Sequence, residues 1–254
     1  MKLFSKTRIA PATPPLYPAE VQIETLDSGL IYRNPAPHLT SRHAYFPSVI
    51  QMDDGKMLAS FSIGEAFEAI NLNTYISRSS NGINWSDPAP LLPPELTHQH
   101  SNCARLTTLP NGEVVAIIVC HDRSHHLNEG LANPNNLGFV PTKVLLLRSH
   151  DYGHTWDQPE LMIPPISDTP LELCSPIVPL SDGRWIWPTS TWRNWNGTSS
   201  NGLKMVAFVS HDQGKTWPEY LDVMHDPAQE KIYWESKIIE LQNSALLAVA
   251  WVFD

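Results

Sequence analysis

Ser149-His150-Asp151-Tyr152-Gly153-His154-Thr155-Trp156 recurs as Ser210-His211-Asp212-Gln213-Gly214-Lys215-Thr216-Trp217, and a shortened copy, Ser79-Ser80-Asn81-Gly82-Ile83-Asn84-Trp85, precedes both. Each copy has the chemistry of a folded turn. The Asp or Asn side chain accepts bonds from main-chain N–H groups further along, and glycine takes the left-handed position. The tryptophan ring then packs back on the turn and the neighbouring strands. Asn81, Trp85, Asp151, Gly153, Trp156, Asp212, Gly214 and Trp217 are therefore expected to be structural.

A second repeated unit alternates with the first: an apolar run, a tight turn and another apolar run. It spans Pro47–Ala59 around Asp54-Gly55, Ala104–Ala116 around Asn111-Gly112, Ser175–Trp187 around Asp182-Gly183, and Ser236–Ala248 around Asn243-Ser244. The Asp-Gly and Asn-Gly pairs supply the positive φ of a two-residue hairpin turn. The turn position advances through residues 55, 112, 183 and 244, and the serine opening the other unit through 79, 149 and 210. A period of roughly 60 residues, with about four strands in each, is the signature of propeller blades. Strands are predicted within these units, for example over Val114–Val119, Lys143–Leu147 and Met205–Val209. Helical signals are weak, because 23 prolines are scattered along the chain and no long stretch keeps a 3.6-residue period.

The fold class is thus all-β. At roughly 60 residues per blade, 254 residues hold three blades and the first hairpin of a fourth. The expected division is an N-terminal segment, 1–40, and a partial propeller, 41–254, with Val21–Arg33 supplying a strand that closes the last blade. Such a chain is expected to be a piece of a longer protein or to have its open edges covered by another copy, because unpaired edges promote self-association.

Composition excludes several classes. With 17 Lys+Arg against 26 Asp+Glu the net charge is −9, which gives no electrostatic footprint for nucleic acid. No apolar run approaches the roughly 18 residues of a membrane helix. Cys103, Cys120 and Cys174 make neither a disulfide framework nor a zinc motif, and read as small buried thiols. Met1–Arg8 is basic but lacks the apolar core of a signal peptide. The default location is the cytoplasm, unless a leader has been removed before Met1.

The first repeated unit resembles the Asp-box, Ser-x-Asp-x-Gly-x-Thr-Trp, of the sialidase (neuraminidase) superfamily, with two full copies and one degenerate one. The resemblance covers roughly residues 40–254. It implies a six-bladed β-propeller of four-stranded antiparallel sheets, of which this chain covers three to four blades. It also implies that the Asp-box lies between the third and fourth strands of a blade, away from the active site. Trp234-Glu235-Ser236-Lys237-Ile238-Ile239-Glu240-Leu241 resembles the family's Glu-Pro-x-x-Val-Glu-Leu, so the resemblance makes Glu235 a catalytic residue. The family clamps its substrate's carboxylate with arginines, whose paired N–H groups suit that anion. In this chain Tyr45 stands at the first arginine position, with Arg42 three residues before it, and Trp251 stands at the second. Other glycosidases on this fold use paired carboxylates and no arginine clamp.

Glycoside hydrolysis needs two carboxyl groups flanking the bond. Glu235 is one candidate. Glu65 and Glu68 lie in the segment where the family carries its general acid, and Glu172 precedes the third hairpin much as Glu235 precedes the fourth. Each also has a plainer reading as a solvated or hydrogen-bonded carboxylate. Thr191-Trp192-Arg193-Asn194-Trp195-Asn196-Gly197 reads as a long loop that offers Trp192 and Arg193 to a sugar, or as tryptophans packed between blades. His100, Asn102 and Trp234 complete the expected substrate-binding set with Arg42 and Tyr45. His98, His100, His121, His125 and His126 match no metal spacing, and no metal or cofactor is expected. The expected activity is exo-acting hydrolysis of a terminal sugar, acidic sugars included, by carboxylate acid–base chemistry. The expected partner is carbohydrate. The alternatives are a non-catalytic propeller that binds glycans or proteins, and an inactive truncated fragment.

Overall fold

The computed structural model describes residues 24–25 and 27–253. The chain divides into Met1–Leu30 and a compact unit, Ile31–Asp254. The described residues of the first carry no helix or strand. The expected strand Val21–Arg33 lies partly outside the described residues, and its described part forms no strand.

In the compact unit, β1 (His43–Gln51), β2 (Met57–Gly64), β3 (Asn73–Ser79) and β4 (Ala89–Pro90) make the first sheet, in that order. The second is β5 (His100–Thr108), β6 (Val114–Asp122), β7 (Thr142–Ser149) and β8 (Glu160–Met162). The third is β9 (Val178–Pro179), β10 (Trp185–Ser190), β11 (Lys204–Ser210) and β12 (Glu219–His225). β13 (Ile232–Glu240) and β14 (Leu246–Phe253) form a two-stranded sheet. Every pairing among these strands is antiparallel. The unit is therefore an all-β, sialidase-like propeller in part: three blades and the opening hairpin of a fourth, at the spacing read from the sequence.

The hairpins correct one expectation. Met52 N–H bonds to Lys56 O at 2.9 Å and Gly55 N–H to Met52 O at 2.9 Å, so the loop has three residues rather than two. The same closure joins Leu109 to Glu113, Leu180 to Arg184 and Leu241 to Ala245. Such a loop needs one left-handed residue, at its end. Gly55, Gly112 and Gly183 fill that position, and Ser244 takes it at φ 60°. Asp54, Asp182 and Asn243 brace the loop by accepting the N–H two residues on.

Apolar slabs between blades form the core. Along β6, Val115, Ile117 and Val119 pack with Trp187, Phe208 and Trp217 of the third blade, while Ala116, Ile118 and Cys120 pack with Leu58 and Ile76 of the first. Both faces of β6 are buried, which explains its unbroken apolar run. Ile186, Met205 and Ala207 meet Tyr233 and Ile238 in the next slab. Each buried aliphatic or Phe side chain contributes about 1.5–3 kcal/mol, so these slabs dominate the stability of the stack.

The repeated turns bridge third and fourth strands, after β3, β7 and β11. Asp151 accepts from Thr155 N–H at 2.8 Å, Thr155 Oγ1–H at 2.7 Å and Ser149 Oγ–H at 2.9 Å. Asp212 repeats the pattern with Thr216 and Ser210. Bonds from the threonine main chain and hydroxyl hold both carboxyls down to about 2. Gly153 and Gly214 sit at φ 74° and 83°, and Trp217 donates to Gly214 O at 3.2 Å. Asn81 makes a weaker copy through Ile83 and Asn84 N–H, and Trp85 donates to Gly82 O.

Candidate functional site

The innermost strands decide where the site lies. β1 slips register between Tyr45 and Ser48, and β13 slips between Trp234 and Lys237. In each case three steps on one strand face two on its partner, which is a β-bulge. Phe46 and Glu235 occupy these bulges at φ 55° and 52°. A left-handed side-chain-bearing residue costs about 1–2 kcal/mol, and the bulge re-aims its side chain out of the usual alternation. Both residues line a cavity of about 340 Å³ to which all four inner strands or the segments leading into them contribute: Phe46, Arg105, Glu172 and Glu235. This convergence marks the cavity as the axial pocket of the propeller.

Glu68, Glu172 and Glu235 all line this pocket. Glu172 Oε1 accepts the Glu235 main-chain N–H at 2.8 Å, and its Oε2 is sealed from solvent beside the Ser190 hydroxyl. Burial pushes Glu172 up to about 7; the Glu235 N–H opposes the rise and the Glu235 charge adds to it. Near neutral pH a large share of Glu172 is thus protonated. Glu68 Oε2 accepts Leu131 N–H at 3.1 Å. Phe139, Trp192 and Trp234 give the pocket aromatic walls, with Trp192 4.8 Å from Phe139 and 5.6 Å from Trp234 between ring centres. Burial holds the His121 imidazole down to about 4, so it is neutral. Its Nδ1 has no partner and its ring meets the Phe139 ring edge-on. Burial also pushes the Cys103 thiol up to about 11 and Cys120 to about 12, as inert core thiols require.

Other residues singled out in the sequence lie outside this cluster. Glu65 is exposed, and its main chain bonds to Asn71 and Ser41. Arg42 lines a separate groove of about 580 Å³ built from residues 32–44. Tyr45 packs edge-on against Phe67, at 5.5 Å between ring centres. His100 bonds to His98 O. Asn102 is buried and joins the first two blades, accepting from Thr74 N–H and donating to Asn73 Oδ1. Arg193 donates to Asn136 O, and its own carbonyl accepts Phe139 N–H. Trp251 is exposed. Among the described residues, no three His, Cys, Asp or Glu side chains come together to hold a metal ion.

Sequence reasoning missed the supports of the pocket. Arg105 lies in the wall, donating through Nη1 to Phe46 O and Ala104 O and through Nε to Cys174 O. Buried Arg123 donates to Glu68 O and to the carbonyls of His126 and Glu129, tying the loop that carries Glu68 to the loop after β6. Gly130 leaves room for the Glu68 carboxyl, because a Cβ there would collide with Oε2. An arginine in an inner strand is the one visible signal for Arg105. Arg123 and Gly130 act through loop partners that no local pattern reveals.

The fold is found in solved structures. The chain is similar to a protein of unknown function from Dyadobacter fermentans DSM 18053, with TM-score 0.68, 20% identity, and 89% of this chain and 65% of that one covered. It is similar to the Penicillium chrysogenum α-L-arabinanase complexed with arabinobiose, with TM-score 0.56, 18% identity, and 82% and 57% covered. It is also similar to the intramolecular trans-sialidase from Ruminococcus gnavus in complex with oseltamivir carboxylate, with TM-score 0.57, 13% identity, and 87% and 68% covered. The chain thus spans 57–68% of the length of these structures. No protein-family model and no curated protein matches the sequence.

Proposed function

We propose that the chain carries the carboxylate half of a propeller glycosidase site, acting on a terminal sugar. The observation that carries this reading is the placing of Glu68, Glu172 and Glu235 on one aromatic-walled pocket at the convergence of the inner strands. Aromatic faces suit the apolar faces of sugars, and convergent carboxyls suit acid–base cleavage. Glu235, carried on the bulge, is the nucleophile or base. Glu68 is the acid partner, from the segment where the resemblance places that role. The arabinanase and trans-sialidase among the similar structures support a sugar substrate.

The test is turnover of chromogenic glycosides, neutral pentosides and hexosides beside sialosides. Glu235→Gln and Glu68→Gln are each expected to lower kcat/KM by about 100- to 10,000-fold. A Glu235→Gln chain as active as the wild type would sink the assignment.

The aromatic walls, and the bonding of Arg105 to main-chain carbonyls rather than into the pocket, also suit a non-catalytic glycan-binding propeller. Saturable glycan binding with no turnover across the panel favours that reading.

A further inference from the structure

We propose that Glu172 is a positioning residue for Glu235: its carboxyl group, held by the neighbouring blade, clamps the Glu235 N–H and keeps the bulge that aims the Glu235 side chain into the pocket. The catalytic consequence rests on the reading of Glu235 as a reacting carboxylate; the clamp itself does not.

The geometry separates clamp from catalyst. One oxygen of Glu172 is committed to the Glu235 N–H at 2.8 Å, and the other is sealed from solvent. Neither is free for a glycosidic oxygen. The segment bearing Glu172 is itself fixed, with Glu172 N–H on Ser190 O and Thr189 Oγ1 on Glu172 O. The carboxyl is therefore a fixed point, and the bulge is the element that needs one.

A second bulge shows the same device with the sign reversed. Phe46 also sits left-handed at a register slip, and its carbonyl is held by the Arg105 guanidinium, again from a neighbouring blade. A carboxyl meets an N–H in one bulge, and a guanidinium meets a C=O in the other. β5 pairs with β6 without a register slip, and there the ties from the first blade are serine hydroxyls, Ser60 and Ser62 donating to Ala104 O and Asn102 O and Ser48 accepting the Leu106 N–H. The ionisable groups around Glu172 are Glu235, Arg105, Cys103 and Cys174.

Amide hydrogen exchange at Glu235, read by NMR in the wild type, Glu172→Gln and Glu172→Ala, tests the clamp. The glutamine keeps an acceptor oxygen and the alanine removes it. Exchange at Glu235 is expected to quicken about 10- to 100-fold in the alanine variant and to stay close to wild type in the glutamine variant. Equal exchange in all three folded chains overturns the proposal. Should Glu172→Ala fail to fold, the amide shift of Glu235 decides: it is expected to show a step at the Glu172 pKa, near 7, in the wild type and to lack that step in Glu172→Gln. The same step in both overturns the clamp. On any glycoside the wild type cleaves, Glu172→Ala is expected to lower kcat with KM unchanged, and Glu172→Gln to restore it. A Glu172→Gln chain as inactive as Glu235→Gln would make Glu172 a reacting group and overturn the positioning role. A wild type that cleaves nothing ends the glycosidase reading and leaves the exchange result to judge the clamp.

Discussion

At the scale of the residue, burial makes folding favour the protonated form of Glu172. Its folded-state pKa, about 7, lies above the 4.5 of a free glutamate. Between those values the unfolded chain has lost the proton that the folded chain keeps. The stability Glu172 contributes is therefore highest below about pH 4.5, falls as pH rises to about 7, and is flat above that. The shift amounts to roughly 3 kcal/mol. Denaturant unfolding at pH 5 and pH 8 should show the wild type losing more stability than Glu172→Gln across that interval; parallel losses would contradict the buried, ionising carboxyl. Glu235 stood out in the sequence because Trp234-Glu235-Ser236 resembles a family blade opening, and the structure places it on the pocket wall. That Asn102 and Arg193 spend polar groups on the chain itself was not legible, because their partners, Thr74 and Asn136, lie 28 and 57 residues away.

At the scale of the element, the hairpins and repeated turns were readable because each is a local solution to a local constraint. A glycine or serine supplies one left-handed residue, and an Asp or Asn side chain caps the N–H groups that follow. The error in loop length arose because two- and three-residue loops share the Asp-Gly signal and differ only in where the strands stop pairing. The bulges were invisible for a related reason. Neither Phe46 nor Glu235 is a residue type that announces positive φ, so the neighbouring blade must enforce it. The loops that carry Glu68 and follow β6 depend on each other in the same way. Gly130→Ala is expected to displace the flexible end of Glu68 at little cost in stability. Glycosidase activity should then fall about 10- to 1,000-fold with the melting temperature within about 2 °C of wild type. Full activity in Gly130→Ala would remove Glu68 from the reaction.

At the scale of the whole molecule, the blade count was legible from spacing alone, since a stack of repeats needs only its period to be counted. The pocket was not, because it forms where four inner strands meet and no one of them contains it. The outer side of the last hairpin leaves Ile239, Leu247, Val249 and Trp251 exposed. A contiguous apolar face of this kind promotes association. Light scattering on the 254-residue chain is expected to show a mass that rises with concentration, and Val249→Lys with Trp251→Lys to suppress the rise. A concentration-independent monomer mass in the wild type would contradict this.

Glu235 is proposed to react with a sugar in the axial pocket. The most direct test is the turnover of chromogenic glycosides by Glu235→Ala, measured with and without added formate. Turnover is expected to be lost in the variant and to return in part as formate occupies the vacated carboxylate position. A Glu235→Ala chain that cleaves the same glycosides at the wild-type rate would contradict that role.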